Sequence, residues 1–307
     1  MQSLLGIFYL FGAFVLAGTS VIAGRFVIHI LGTFTIAAGS LLFALIGLLP
    51  FCGRKLRANL RQISRYEWLG MLLQALFGIF LFRMFLLQGL IRTSTAEAGI
   101  LTGVTPAATA LLAWLILKEP INGVRILGVF STVSGILVIQ GLCSMNIGFS
   151  KIHFAGNLLV ICAALCESLF NVLSRITSIR ATTLQSRVKD PVVKTVLVVG
   201  IALLLCVGPA LWEHPVQSLK LLDLTGWGAL IWYGLFVTAV AFIFWYAGIK
   251  RCDASVAAAF TGMMPLTSLG LSVLLLHEQP GLWQGFGGLL VILGMLLTGL
   301  KSSRWHI

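Results

Sequence analysis

Charged side chains are scarce in this sequence. Only 10% of the 307 residues are charged and only nine are Asp or Glu, whereas soluble domains carry about 25% charged residues. A soluble chain of this length could not cover its surface with so few ions, so the composition excludes a soluble globular protein. Because 59% of the residues are hydrophobic, we expect lipid to be the outer solvent.

The sequence also lacks the motifs of several chemistries. It contains no GxxxxGK[ST] motif, which excludes a self-contained ATP-driven pump, and no HExxH motif. Its five histidines lie at or beyond the ends of the apolar segments, and its six cysteines lie mostly in or beside them, where cysteine is typically a packing residue. We therefore expect no metal site, no cofactor and no enzymatic activity. An intramembrane enzyme and a non-transporting receptor are remote alternatives.

Ten apolar segments dominate the sequence instead. Each is close to the roughly 20 residues that a helix needs to cross the hydrocarbon core, and none shows the alternation of a membrane β-strand. We therefore predict an all-α membrane protein with ten transmembrane helices. The predicted spans are approximately 4–23, 31–49, 68–90, 96–117, 123–142, 154–173, 192–212, 226–248, 254–276 and 282–300.

The net charge of +12 is distributed as in a membrane protein. With the N-terminus inside, most Lys and Arg residues fall on the cytoplasmic side, many of them in the connections 50–67 and 174–191, as the positive-inside rule requires. This distribution predicts cytoplasmic N- and C-termini in a multi-pass protein of a bacterial inner membrane. A nucleic-acid partner is not expected, because no folded basic face with groove-reading elements is visible.

The sequence contains an internal repeat with an offset of 159 residues. The matching motifs are Glu119-x8-Gly128-x6-Gly135 and Glu278-x8-Gly287-x6-Gly294. Five predicted helices fall in each copy, so we place the repeats at 1–148 and 149–307. An odd number of spans makes the second copy enter the membrane from the opposite side, which predicts inverted repeats of the kind found in secondary transporters.

Prolines at matching positions interrupt the fourth span of each copy. A proline inside a helix removes one backbone hydrogen bond and frees the carbonyl four residues earlier, and in both copies that carbonyl belongs to a Thr-Gly pair. Interrupted spans at matching positions indicate a transporter site, although a simple packing kink is the alternative. The candidate hinges are Gly103, Pro106, Gly262 and Pro265, and the candidate substrate ligands are Thr102 and Thr261.

The repeated five-helix unit, with its Thr-Gly pair, proline and final Glu-x8-Gly-x6-Gly motif, resembles the EamA family of the drug/metabolite transporter superfamily. The resemblance covers nearly the whole chain. It implies a ten-helix bundle with a central cavity between the halves that usually exports metabolites or amino acids. Because related folds carry many kinds of compound, the resemblance does not name the substrate.

Two charged residues lie well inside predicted spans, where a charge costs at least about 2.5–3.5 kcal/mol. Arg83 is a candidate anchor for a substrate carboxylate or phosphate, because its planar guanidinium binds such groups bidentately. Glu167, with Asn171 one helical turn away on the same face, could bind a substrate ammonium or carry a proton. The alternatives are an Arg83 that reaches the outer interface and a structural Arg83–Glu167 ion pair.

Three more residues complete the candidate set. Trp245 is the aromatic candidate for lining a pocket or stacking on a substrate ring. Glu119 and Glu278 recur at the boundary between the fourth and fifth spans of their copies, where a carboxylate near a helix N-terminus is favourable, so we assign them a scaffold role.

The leading hypothesis is an inner-membrane secondary transporter that exports a small amphoteric or anionic metabolite, such as an amino acid or a compound derived from one, by alternating access. The expected partners are the small-molecule substrate, the lipid bilayer and, for a coupled mechanism, protons. Drug or amine efflux and facilitated uptake by the same fold are the alternatives. The sequence leaves open whether the protein is a monomer or a homodimer.

Overall fold

The computed structural model describes residues 4–60, 63–117, 123–139, 151–183, 190–249, 251, 260 and 263–299. Within these residues the structure is almost entirely helical and contains no β-strand. The α-helices are α1 Leu4–Val27, α2 Thr33–Leu60, α3 Arg65–Ala75, α4 Phe82–Leu90, α5 Thr95–Leu101, α6 Thr105–Leu117, α7 Gly123–Ile139, α8 Lys151–Thr183, α9 Pro191–Trp212, α10 Pro215–Lys220, α11 Leu224–Trp232, α12 Ala241–Ile249, α13 Met263–Leu276 and α14 Leu282–Gly299.

Short segments of other helical types join three pairs of these helices. A π-helix, Leu76–Leu81, connects α3 to α4, and a second π-helix, Tyr233–Val240, connects α11 to α12. A 3-10 segment, Thr102–Val104, connects α5 to α6. Each of these pairs therefore continues in one direction as a single span with an irregular middle.

In the described part of the chain, seven helical stretches are long and apolar enough to cross a membrane. They are Leu4–Val27, Thr33–Phe51, Arg65–Leu90, Thr95–Ile116, Ile152–Ser174, Val192–Trp212 and Leu224–Ile249. Three shorter apolar helices, Gly123–Ile139, Met263–Leu276 and Leu282–Leu297, fall within the other predicted spans. An all-α membrane protein is thus confirmed, whereas ten membrane-crossing helices in two inverted repeats stay a prediction.

Local side chains set where several helices begin. Ser64 forms a capping box with Glu67 at the start of α3, and the Ser94 hydroxyl accepts a hydrogen bond from the Glu97 N–H (3.1 Å) at the start of α5. Asp223 accepts from the Gly226 N–H (2.7 Å) at the start of α11. These side chains satisfy backbone donors that the first turn of a helix leaves free.

The glycines of the repeated motif form a close contact between α7 and α14. A Cβ added at Gly294 would lie 2.6 Å from the Gly128 carbonyl oxygen, and one added at Gly287 would lie 2.7 Å from the Gly135 carbonyl oxygen. The earlier glycine of one motif thus faces the later glycine of the other, so the two helices run antiparallel. We call this contact the glycine seam.

A hydrogen bond crosses the seam at its centre. The Ser131 hydroxyl donates to the Leu290 carbonyl oxygen at 2.7 Å, and these two residues are themselves 159 positions apart. Equivalent positions of the two copies therefore meet each other. Small residues allow such close approach of two backbones, and this is how helices associate where lipid removes the hydrophobic driving force.

The seam predicts opposite effects for two glycine substitutions. Gly135→Ala should lower the free energy of unfolding of the purified protein by about 1–3 kcal/mol, and with it the melting temperature. The reason is that its Cβ would lie 2.6 Å from the Gly287 carbonyl oxygen. Gly200→Ala in α9 is the control, since a Cβ there meets nothing within 4 Å; it should be neutral or stabilise by about 0.5–1 kcal/mol. Melting curves in detergent measure both, and equal melting temperatures for the two variants would contradict the seam.

Candidate functional site

A cavity lies between helices of the two halves of the chain. It is lined by residues of α1, α4, α8, α12, α13 and the two π-helices. Arg83, Glu167, Asn171 and Trp245 all line it. The structure therefore brings together four side chains that were predicted separately from the sequence.

Arg83 is held in the cavity wall by neutral partners. Its side chain is only 4% exposed, so it does not extend to the outer interface. Nη1 donates to the Ser40 hydroxyl (2.6 Å) and to the Ala37 carbonyl (3.4 Å), and Nη2 donates to the Thr238 hydroxyl. Cζ lies 4.4 Å from the centroid of the Tyr233 ring, where a cation–π interaction is favourable.

Glu167 is not paired with Arg83. Its Oε2 accepts a hydrogen bond from the Thr105 hydroxyl at 3.0 Å, and no ion pair joins it to Arg83 among the residues that the structure describes. Asn171 follows one turn later on α8 and lines the same cavity. The two opposite charges therefore share one space without neutralising each other by direct contact.

Several polar atoms of the cavity wall have no hydrogen-bond partner within the described residues. They are the Ser20 hydroxyl, the Tyr233 hydroxyl and the Trp245 indole nitrogen. The Trp245 ring itself packs edge-on against Phe14, with ring centroids 5.5 Å apart. Ser20 and Tyr233 were not predicted from the sequence, because a serine and a tyrosine in apolar spans do not stand out until the cavity is known.

The π-helices were also missed, although they position much of the wall. Gly78, Ile79, Tyr233 and Val237 all belong to them and face the cavity. The two π-helices occupy closely equivalent places in the two copies of the repeat. Such wide turns are rare and occur often at functional sites, but no residue type in the sequence predicts them.

The expected break in the fourth span is present but differs in detail. The 3-10 segment Thr102–Val104 directly precedes Pro106, the second residue of α6. The expectation that Pro106 frees the Thr102 carbonyl is wrong, because the Thr105 N–H donates to that oxygen. Near the start of a helix the N–H that proline lacks has no intrahelical partner in any case.

The side chain of Thr102 does not belong to the cavity. Its hydroxyl donates to the Gly99 carbonyl at 2.6 Å within the same span, and Thr102 is absent from the described cavity wall. Gly103 instead meets the other half, since a Cβ there would lie 3.6 Å from Cγ of Pro265. The Thr261 and Gly262 predictions lie outside the described residues.

Carboxylates from the second half cap helices of the first half. Both oxygens of Glu278 accept backbone N–H groups at the start of α5, from Thr95 at 3.0 Å and Ala96 at 2.7 Å. Glu213 does the same at the start of α2, where it accepts from the backbone of Phe34 (3.1 Å) and Thr35 (2.7 Å). The Glu119 prediction lies outside the described residues.

Glu97 adds a third polar contact between the halves. Its carboxylate accepts a hydrogen bond from Asn157 Nδ2 (2.9 Å) and another from Gln284 Nε2. His153 Nδ1 lies 3.8 Å from the same carboxylate. We call the contacts of Glu97, Glu213 and Glu278 the carboxylate bridges.

A multi-pass helical protein whose two halves enclose a cavity lined by a cation and a carboxylate has the architecture of a membrane transporter. The profile of the EamA-like transporter family matches the chain twice, at residues 4–141 and 154–300. The chain belongs to this family. It is accordingly an integral membrane transporter and not an enzyme.

Named relatives agree with this assignment. The chain is 27% identical over 257 residues to the uncharacterized transporter YetK of Bacillus subtilis, covering 84% of this chain and 74% of the relative. It is 31% identical over 252 residues to the uncharacterized transporter sll0355 of Synechocystis sp., covering 77% of this chain and 72% of the relative. A solved crystal structure superposes with a TM-score of 0.61 at 19% identity over 95% of each chain, a likeness that concerns the fold alone.

The carboxylate bridges predict that losing a helix cap supplied by the other half of the chain lowers the stability more than losing a cap within the same helix. Glu278→Gln keeps one acceptor oxygen but loses the second, so it should lower the stability by about 1 kcal/mol. Glu67→Gln is the matched control, because Glu67 serves an exposed capping box within its own helix; its effect should be smaller. Melting temperatures in detergent compare the two, and a larger loss for Glu67→Gln would contradict the role of Glu278.

Proposed function

We propose that the protein is an inner-membrane secondary transporter that exports a small amphoteric or anionic metabolite, an amino acid or a compound derived from one. The substrate occupies the central cavity, and two inverted five-helix repeats, 1–148 and 149–307, give it access to each side of the membrane in turn. The positive-inside distribution of Lys and Arg supports cytoplasmic termini.

The observation that carries this proposal is that Arg83 and Glu167 line one cavity without pairing with each other. A buried charge is costly unless it is compensated, and a purely structural ion pair would bring the two side chains into contact. Their separation leaves each charge available to a substrate that carries the opposite charge.

The charge balance of the cavity favours an amphoteric substrate. One cation and one carboxylate line the described wall, so a zwitterion adds no net charge to a space of low dielectric constant. An anion without an ammonium would leave Glu167 uncompensated unless this carboxyl group took up a proton. Glu167 is therefore also the residue that we propose for proton coupling.

The packing of the halves supports alternating access. The glycine seam holds α7 against α14 through backbone contacts that cannot be replaced by water. The hinge candidates Gly103 and Pro265 meet close to it, since Gly103 also faces Val291 of α14. The halves can therefore rotate about this line while their other contacts change, which is how repeats move around a central site.

The first test compares Arg83→Gln with the wild type in proteoliposomes loaded with a mixture of amino acids. Loss of the cation should reduce the efflux of zwitterions at least about tenfold, the scale of a hydrogen bond to a charged group. Arg92→Gln is the control, because Arg92 lies outside the cavity and, within the described residues, its side chain donates hydrogen bonds to Gln88 alone. Normal efflux in the Arg83 variant, with amines as the preferred substrates, would favour amine efflux instead.

The second test addresses proton coupling through Glu167. An imposed pH gradient should change wild-type efflux severalfold, and Glu167→Gln should abolish this response while a slower exchange without a gradient persists. Collapse of the gradient with an ionophore gives the baseline for both proteins. A gradient response that persists in the variant would exclude Glu167 as the coupling residue.

A further inference from the structure

Two hydroxyl groups in the cavity wall lack the hydrogen bonds that buried polar groups require. Ser20 is 3% exposed and Tyr233 is 1% exposed, and neither hydroxyl has a partner within the described residues. Native proteins leave few such groups unsatisfied, because each costs about 1–3 kcal/mol. Both residues line the cavity, and their hydroxyl oxygens lie just beneath its surface, so a small movement of either side chain would bring its hydroxyl into contact with a molecule inside.

One of these two residues, Tyr233, lies directly beside Arg83. The Arg83 guanidinium lies over the Tyr233 ring. The indole N–H of Trp232 donates to the Thr19 hydroxyl at 2.9 Å, and this bond fixes the immediate neighbours of Tyr233 and Ser20 against each other. Tyr233 is therefore next to Arg83, and Ser20 belongs to the wall of the same cavity.

Arg83 keeps donors free for a ligand. A guanidinium has five N–H groups, and Arg83 uses two on Nη1 and one on Nη2 for its protein partners. The Nε–H and one N–H of Nη2 remain without a partner in the described part of the chain. Two donors on neighbouring nitrogens suit a planar carboxylate, which accepts them bidentately.

The residue at the equivalent position of the first repeat has a different role from Tyr233. The position equivalent to Tyr233 in the first copy is Gln74. Its amide nitrogen donates to Thr177 (3.2 Å), and its amide oxygen accepts from Ser174 (3.2 Å) and Tyr246 (3.1 Å). The same place in the scaffold thus joins helices in one copy, whereas in the other it holds a hydroxyl beside the cavity that has no partner within the described residues.

We propose that Arg83, Ser20 and Tyr233 form a binding site for the carboxylate of the substrate, and that Glu167 and Asn171 bind its ammonium group. This inference rests on the proposed function and narrows it to monocarboxylates that carry an amino group. A phosphate ester is disfavoured, because its second negative charge would face a cavity that already contains Glu167 and offers one cation in its described wall.

The test measures binding and transport separately. Titration calorimetry of the purified protein in detergent uses L-leucine and L-phenylalanine, their primary amides, which lack the carboxylate, and phosphoserine with serine as its reference. Transport is followed as counterflow of the same amino acids in proteoliposomes. The variants are Tyr233→Phe, which keeps the ring beside Arg83, and Ser20→Ala.

Thr95→Val is the matched control, since the Thr95 hydroxyl is also buried without a partner in the described residues but lies outside the cavity wall. We expect each cavity variant to weaken amino-acid binding about tenfold and to leave the binding of the amides nearly unchanged. Thr95→Val should bind both as the wild type does.

The outcomes separate the two proposals. If amino acids are transported but Tyr233→Phe and Ser20→Ala bind them like Thr95→Val, the carboxylate site is overturned and the proposed function stands. If the expected binding pattern appears without counterflow, the site stands and the proposed function fails. Tighter binding of phosphoserine than of serine would overturn the choice of a monocarboxylate, and no binding of any amino acid would overturn both proposals.

Discussion

The structure depends on one constraint, which is that polar groups inside a membrane must find their partners within the protein. Helices satisfy most of the backbone, and two of the carboxylate bridges, those of Glu213 and Glu278, satisfy N–H groups at the starts of helices in the other half of the chain. Glu278 and Glu213 each use both oxygens for this purpose. The cavity is one place where this constraint is not met within the described residues, because Ser20, Tyr233 and Trp245 keep polar atoms without partners there.

The repeated positions and the positions that break the repeat serve different purposes. Gly128 and Gly135 recur and pack against their counterparts at the glycine seam. Arg83 does not recur, since its equivalent is Phe242, and both line the cavity. A duplicated scaffold supplies two halves that fit together, and substitutions in only one copy then give the cavity a charged, asymmetric wall that can orient a substrate.

The two kinds of contact between the halves also differ in how readily they exchange with water. The carboxylate bridges are hydrogen bonds, so a bridge that opens to water can exchange its protein partner for water. The glycine seam consists of backbone surfaces in van der Waals contact, for which water is no substitute. Motion of the halves would therefore exchange the partners of the bridges and leave the seam in place.

The sequence by itself determined the helical membrane class, the family and the unusual charges, because hydropathy, the repeat and an in-span Arg83 or Glu167 are visible residue by residue. It did not reveal that these two charges share a cavity without pairing, that Thr102 bonds within its own span, or that Glu278 caps a helix 183 residues away. It also gave no sign of the π-helices or of the unpartnered hydroxyls of Ser20 and Tyr233. Those features arise from which faces of distant helices meet, and only tertiary packing decides which polar atoms find a partner and which do not.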